Sequence, residues 1–217
     1  MRLKNYILYS IIFLTGVISN AQLESGLLLG LTNATTTDIN ATTDAAKGSL
    51  VFNTDTNQVY VFDGTSWNQM GQKTTYTGTF RISGSGTLSV SGIPFQPTSV
   101  SFVAYANVED FNLDSDNGTR NNETGLPNAY GSMKGFARDD NGSITEQVIF
   151  NGGSGNSIND ISRYASDSHS IGVRYANQNG DKLGLTTATV TAFTSTGFTL
   201  NTDNYADGVV VIYEAHR

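Results

Sequence analysis

The strongest constraint on the fold is a series of short apolar runs, separated by turn-forming residues, that continues from residue 74 to residue 217. Within residues 98–108 apolar side chains alternate with polar ones, as in a strand with one buried face. The sequence Asp139-Asp140-Asn141-Gly142 stands between two such runs and predicts a hairpin turn. Beyond residue 21, no stretch shows a convincing 3.6-residue helical period. These patterns predict an all-β chain in which residues 74–217 form an antiparallel, jelly-roll-like β-sandwich.

The composition indicates that the chain has few helices, and it excludes several kinds of binding site and catalytic chemistry. Of the 19 acidic residues, 14 are Asp, which favours turns and caps, and 5 are Glu, which favours helices. The formal charge is −7, and it becomes −9 without residues 1–21, which hold two basic residues and no acid. Such a charge disfavours binding to the phosphate backbone of nucleic acids. The lack of cysteine excludes disulfides and thiolate chemistry, and two histidines exclude a histidine-rich zinc site.

Residues 1–21 have the pattern of a secretory signal peptide. Arg2 and Lys4 precede an apolar run over residues 6–18, and Ser19 and Ala21 are small residues at the −3 and −1 positions of a cleavage site. We therefore expect the mature chain to begin at Gln22, exported to the periplasm, cell surface or exterior. Because the apolar run is short and no second run follows, we expect no membrane-spanning segment.

Residues 22–47 predict a linker or polar stalk, because small polar residues dominate and little apolar area is available for burial. The exception is a cluster formed by Leu27, Leu28, Leu29 and Leu31. In an isolated linker this cluster would be an exposed apolar patch, so we expect it to pack on a neighbouring domain or subunit.

Residues 48–70 predict a small β-module. Two apolar runs, residues 50–52 and 59–62, flank a turn-rich segment, and Asp63-Gly64 forms a second turn before Trp67. This pattern resembles a module found in tail-fibre-like phage proteins and in exported surface proteins of Bacteroidetes-type bacteria. The resemblance implies a structural or oligomerising element without catalytic residues.

Two further stretches, residues 92–104 and 190–201, resemble parts of phage-tail-associated β domains. In those domains an entry strand with a Pro-x-x-Val-x-Phe pattern and a hairpin ending in Gly-Phe-Thr-Leu bracket the fold; here Ile93 and Pro94 are inserted before Phe95. The resemblance implies a β-sandwich in a surface or appendage setting, and it implies no binding site.

Residues 109–123 contain the densest group of oxygen ligands. Hard cations such as Ca²⁺ require several such ligands close together, so the loop predicts a Ca²⁺ site. The loop lacks EF-hand spacing, because Ser115 and Asn121 occupy the positions that require Gly and Glu when counted from Asp110. A solvated acidic loop without metal remains the alternative. The predicted ligands are Asp110, Asp114, Asp116 and Glu123.

Aromatic residues on predicted loops suggest a site for carbohydrate. Sugars stack their apolar faces on aromatic rings, while polar side chains bind their hydroxyls. The alternative is that the ten tyrosines reflect ordinary strand propensity. The candidate ligand-binding residues are Tyr105, Tyr130, Arg163, Tyr164 and Tyr175.

Candidate catalytic groups are few. Asp167-Ser168-His169-Ser170 brings the types of a catalytic triad together, but an extended strand would point His169 away from both serines. His216 is expected to be idle near the C-terminus. Glu146 is the clearest carboxylate on a predicted strand for a glycan-cleaving β-sandwich enzyme.

The sequence thus favours an exported, surface-associated binding or adhesion module, with glycans as its candidate ligands and without catalytic activity or an obligatory cofactor. A structural subunit of a fibre or appendage is the alternative, and a glycan-cleaving enzyme ranks third. The partner is expected to be a surface glycan or a protein. We also expect a homo-oligomer, with a trimer favoured, held together through residues 22–70.

Overall fold

The computed structural model describes residues 30–111 and 125–217. The chain divides into two compact units between Gln72 and Lys73. Strands make up 59% and helices 5% of the described residues, so the predicted all-β sandwich is confirmed. The expected signal peptide, Leu27, Leu28 and Leu29 and most of the acidic loop lie outside the described residues.

The N-terminal unit is a four-stranded sheet with one short helix. Its strands lie in the order β1-β2-β3-β4, with β1 parallel to β2 and the other pairs antiparallel. The elements are β1 (Thr32–Ala34), α1 (Thr36–Ala41), β2 (Leu50–Asn53), β3 (Gln58–Phe62) and β4 (Trp67–Gln69).

Two of these elements, β1 and α1, fall in the segment predicted to be a polar stalk. The Thr35 side chain accepts a hydrogen bond from the Asp38 N–H, and the Asp38 carboxylate accepts one from the Thr35 N–H, which forms a capping box. Ile39 is buried and anchors the helix. Capping and one apolar anchor therefore give regular structure to part of a segment that is polar overall.

The C-terminal unit is a β-sandwich of a six-stranded and a four-stranded sheet. The six-stranded sheet has the order β10-β9-β8-β7-β14-β5 and the four-stranded sheet the order β11-β12-β13-β6, and all pairs are antiparallel. A 3-10 helix, Leu126–Asn128, precedes β8. The strands are β5 (Thr75–Ile82), β6 (Gly86–Ser91), β7 (Ser99–Tyr105), β8 (Ala129–Asp139), β9 (Ile144–Ser154), β10 (Ser157–Ser166), β11 (Ile171–Ala176), β12 (Lys182–Thr194), β13 (Gly197–Asn204) and β14 (Val209–His216).

The turn between β8 and β9 has the chemistry that its sequence predicts. Asn141 and Gly142 both have positive φ, 58° and 93°, which these two residue types tolerate best. The Gly142 N–H also donates a hydrogen bond of 2.6 Å to the Asp139 carboxylate. This turn sets the register of the two eleven-residue strands that form the centre of the outer surface described below.

The core lies between the two sheets of the sandwich and is centred on an aromatic cluster. Phe80, Phe102 and Tyr213 from the six-stranded sheet surround Phe198 from the four-stranded sheet, with ring centroids 5.3–6.0 Å from that of Phe198. In β7 the alternation predicted from sequence places Phe102 and its inward neighbours in this core. Aromatic burial of this extent provides the stability of a domain that has no disulfide.

Candidate functional site

One face of the N-terminal sheet is covered by α1. Ile39 from the helix and Val51 and Phe62 from the sheet are buried, with 3–6% exposure. The Trp67 ring lies 5.2 Å from that of Phe62, and its indole N–H donates a hydrogen bond of 2.9 Å to the Thr42 carbonyl. This face therefore has its own small core within a single chain.

The opposite face of the same sheet is apolar and is not covered by any residue of the described part of this unit. The register pairs Leu50 with Val61 and Phe52 with Val59, which places these four side chains together. Leu31 and Met70 extend the face into a shallow groove lined by Leu50, Phe52 and Val59. Leu50 is 43% exposed and Met70 is 47% exposed, so the face presents large apolar side chains to water. We call these six residues the apolar face.

Three of the five predicted ligand-binding residues share a second surface, the outer face of the six-stranded sheet. The register links Tyr105 to Ser132, Ser132 to Asn151 and Asn151 to Arg163 in one row across four strands. Tyr130 lies two residues from Ser132 on β8 and therefore points to the same side. Tyr105 and Tyr130 are half exposed, and Arg163 is exposed.

The other two predicted ligand-binding residues point inward. Tyr175 has no exposed surface, and burial is the main cause that raises the pKa of its hydroxyl. Including Tyr175 in a surface site was wrong, because β11 is buried on both sides rather than on one. Tyr164 pairs with inward-facing Phe150, and its hydroxyl lies 3.4 Å from His169 Nδ1, so it belongs to a different cluster.

The predicted Ca²⁺ site is only partly described. Asp110 forms an ion pair of 2.8 Å with Arg81, which occupies one oxygen that the metal would need. Asp114, Asp116 and Glu123 lie outside the described residues. Across residues 30–111 and 125–217, no three acidic or histidine side chains are grouped as a metal site requires. Calcium binding therefore stays a prediction.

His169 contacts Ser168, which the sequence argument placed out of reach, and also Ser166, which that argument did not consider. Its Nδ1 lies 2.9 Å from Ser166 Oγ and 3.3 Å from Ser168 Oγ, and its Nε2 lies 3.0 Å from an Asp203 carboxylate oxygen. The argument was wrong because the chain bends here instead of continuing as a strand. Thr187 donates a hydrogen bond of 2.6 Å to the other Asp203 oxygen. The cluster thus joins β10 of one sheet to β13 of the other.

We expect His169→Ala to destabilise the sandwich by about 1 kcal/mol, because it removes a bond between the sheets at a partly solvated site. Burial raises the pKa of Asp203, but hydrogen bonds from Thr187 and His169 outweigh burial and hold the pKa below its ordinary value. A lowered carboxylate pKa stabilises the fold above the unfolded pKa of about 3.9 and loses this effect as pH falls through the folded pKa. Chemical denaturation should show a deficit at pH 7 that shrinks below about pH 4. Ser89→Ala, at an exposed position of β6 outside this cluster, is the control. A deficit of equal size at pH 7 and below pH 4 would contradict this role.

Glu146 is buried against the four-stranded sheet. Its carboxylate accepts a hydrogen bond of 2.6 Å from the Val190 N–H. Burial raises its pKa, although the bonds from Val190 and Ser170 and the nearby His169 act in the opposite direction. Glu146 therefore has a defined structural role between the sheets.

We expect Glu146→Gln to raise the melting temperature at pH 7. A raised folded-state pKa contributes stability below the unfolded pKa of about 4.3, and this contribution disappears as pH rises through the folded pKa. Glutamine remains neutral and still accepts from Val190, so its advantage should vanish below about pH 4. Glu146→Ala should instead lose about 1–3 kcal/mol at both pH values, because the buried Val190 N–H loses its acceptor. A melting temperature that Glu146→Gln lowers at pH 7 would refute this account.

Comparison with known proteins finds a family similarity for the N-terminal part of the chain. No curated protein and no solved structure matches the chain. In the described part of the chain, no helix has the length and apolar character needed to cross a membrane. A family model does match residues 18–85, which include the whole described N-terminal unit and β5. This match supports a homo-oligomer, specifically a trimer, and confirms the resemblance to tail-fibre-like phage proteins. Residues 18–85 are thus similar to the phage tail-like trimerisation region.

Proposed function

We propose that this chain is a structural subunit of a trimeric fibre or appendage, whose N-terminal unit assembles three copies and whose β-sandwiches form the displayed part. The observation that carries the proposal is the apolar face, which lies within the segment that matches a trimerisation region. The family match therefore favours the structural subunit, which the sequence analysis gave as the alternative, over the adhesion module.

The apolar face is the proposed contact between copies. A monomer that exposed Leu50 and Met70 beside Phe52 would carry a contiguous apolar patch of the kind that marks interaction sites. The other face of the sheet already packs on α1, so among the two faces of the described sheet the apolar face is the one open to a partner. In a closed trimer with a three-fold axis, the apolar face of each copy would be buried against the other two copies.

Light scattering coupled to size-exclusion chromatography tests the assembly directly. We expect the mature chain, residues 22–217, to have three times the mass of one chain at micromolar concentration. Negative-stain electron microscopy should show particles with three-fold symmetry. A monomeric mass across the accessible concentration range would overturn the proposal.

A binding role is the second candidate function, and the exposed tyrosines on the outer face of the six-stranded sheet favour it. Three copies would combine three weak sites into one avid surface, which suits adhesion. We further propose that residues 1–21 direct export and that the chain has no catalytic activity. N-terminal sequencing of the exported protein tests the first point, since it should begin at Gln22.

A further inference from the structure

We infer that the outer face of the six-stranded sheet binds an acidic polysaccharide, a glycan whose sugars carry carboxylates. The inference deepens the second candidate function above and rests on it. The surface concerned consists of Tyr105, Tyr130, Arg163 and Lys134, and we call it the tyrosine–arginine face. It combines two exposed aromatic rings with two cations that form no ion pair within the described ranges.

The ring of Tyr130 is held against the sheet. Tyr130 pairs with Gly153 on β9, and Gly153 pairs with Ile161 on β10. A Cβ atom added at Gly153 would lie 3.0 Å from the Tyr130 hydroxyl oxygen and 3.2 Å from Cζ, so the ring rests directly over this glycine. Tyr130 remains 52% exposed, so the rest of the ring is available to a ligand. A ring held in this position loses little conformational entropy when a sugar stacks on it.

Polar side chains suited to sugar hydroxyls lie between the two tyrosines and the arginine. Ser132 and Asn151 occupy the row that joins Tyr105 to Arg163, and both are exposed. Hydroxyl and amide groups at such positions can both donate to and accept from a sugar. The surface therefore combines apolar rings with hydrogen-bonding groups, as glycan sites require.

The charge of this surface is opposite to that of the whole molecule. The chain has a formal charge of −7, yet Arg163 and Lys134 are exposed here and form no ion pair with a residue of the described ranges. By contrast, Arg138 on the same strand as Lys134 is paired with Asp140 at 3.0 Å. A guanidinium without an ion-pair partner can bind a carboxylate through two hydrogen bonds. A ligand with carboxylates would therefore supply the acidic partner that Arg163 lacks.

The dimensions fit a short stretch of glycan chain. From Tyr130 to Lys134 the surface extends about 14 Å along β8, at roughly 3.4 Å per residue. From β7 to β10 it extends about 14 Å across the sheet, at roughly 4.8 Å per strand. A flat surface of this size accepts a few sugar rings of an extended polymer. A nucleic acid is disfavoured, because two free cations on an acidic protein neutralise few phosphates.

The test uses the full mature protein and three carboxylated polymers, polygalacturonate, alginate and hyaluronate, in affinity electrophoresis and calorimetry. We expect at least one to bind and its methyl-esterified form to bind at least tenfold more weakly, because the ester removes the carboxylate charge. Arg163→Gln and Tyr130→Ala should each weaken binding about tenfold. Arg138→Gln is the matched control, since it removes the same charge from an arginine of β8 that is paired with Asp140, and it should change affinity less than twofold. Unchanged melting curves verify that these exposed substitutions leave the fold intact.

Each contrary result has a defined meaning. Binding to none of the three polymers, or equal binding to the esterified form, would overturn the inference. Equal losses in Arg163→Gln and Arg138→Gln would show a response to net charge alone and would also overturn it. Tighter binding of a single-stranded oligonucleotide than of any glycan would replace the proposed ligand class. A monomeric variant should retain the affinity of a single site and lose only the avidity, which separates this inference from the proposed assembly.

Discussion

Leu50→Glu is expected to convert the trimer into monomers. Leu50 lies in the apolar face and is 43% exposed in the single chain, so the change should be tolerated by the isolated unit. In the assembly it would place three carboxylates in a contact from which water is excluded, and burying an unpaired charge costs several kcal/mol. Light scattering should report one third of the wild-type mass.

The control for Leu50→Glu adds the same charge outside the apolar face. Asn40 is an exposed residue of α1, on the side of the sheet that the helix covers, and Asn40→Glu should leave the mass unchanged. A trimer that survives Leu50→Glu would show that the interface lies elsewhere. Loss of the trimer in both variants would point to general charge repulsion.

Phe198→Ala should cause the largest loss of stability in the sandwich, about 3–5 kcal/mol, because it removes a buried ring and leaves a cavity. Phe198 has no exposed surface, and its ring centroid lies 5.7 Å from that of Phe102 and 5.3 Å from that of Tyr213. Such a loss can equal half of the stability of a domain of this size. Urea unfolding followed by tyrosine fluorescence measures it.

Two comparisons make this prediction specific. Phe198→Leu keeps most of the buried volume and should lose distinctly less than Phe198→Ala. Ile149→Ala shortens a side chain that is 60% exposed on the other side of the six-stranded sheet, and it should change stability by about 0.5 kcal/mol or less. A loss from Phe198→Ala no larger than that from Ile149→Ala would contradict the assigned core.

The strands of the sandwich were predictable because their determinants are local. Alternation in β7 and the Asn141-Gly142 turn are both visible within a dozen residues of sequence. The helix α1 was not predicted, since four of its six residues, two Thr, one Asp and one Asn, have low helix propensity. Its one local signal was the spacing of Thr35 and Asp38, which is that of a capping box.

The sites depended on pairings that sequence alone does not reveal. His169 and Asp203 are 34 residues apart and meet because of how the two sheets pack. Tyr105, Tyr130 and Arg163 were selected only as residue types, and their common face follows from the register of four strands. Tyr175 was misplaced because the nearly continuous apolar run of β11, which is typical of a strand buried on both sides, was not used.

The N-terminal sheet has a core on one face and an exposed apolar face on the other. The stability of this unit should therefore depend on the concentration of the chains. A sheet with one apolar face exposed to water is stabilised by whatever binds there, and the gain in stability grows with the concentration of the partner. The sandwich encloses its own core and has no such dependence. Newly made or strongly diluted chains would therefore have a stable C-terminal sandwich and a less stable N-terminal unit. The N-terminal unit would gain stability when the chains associate.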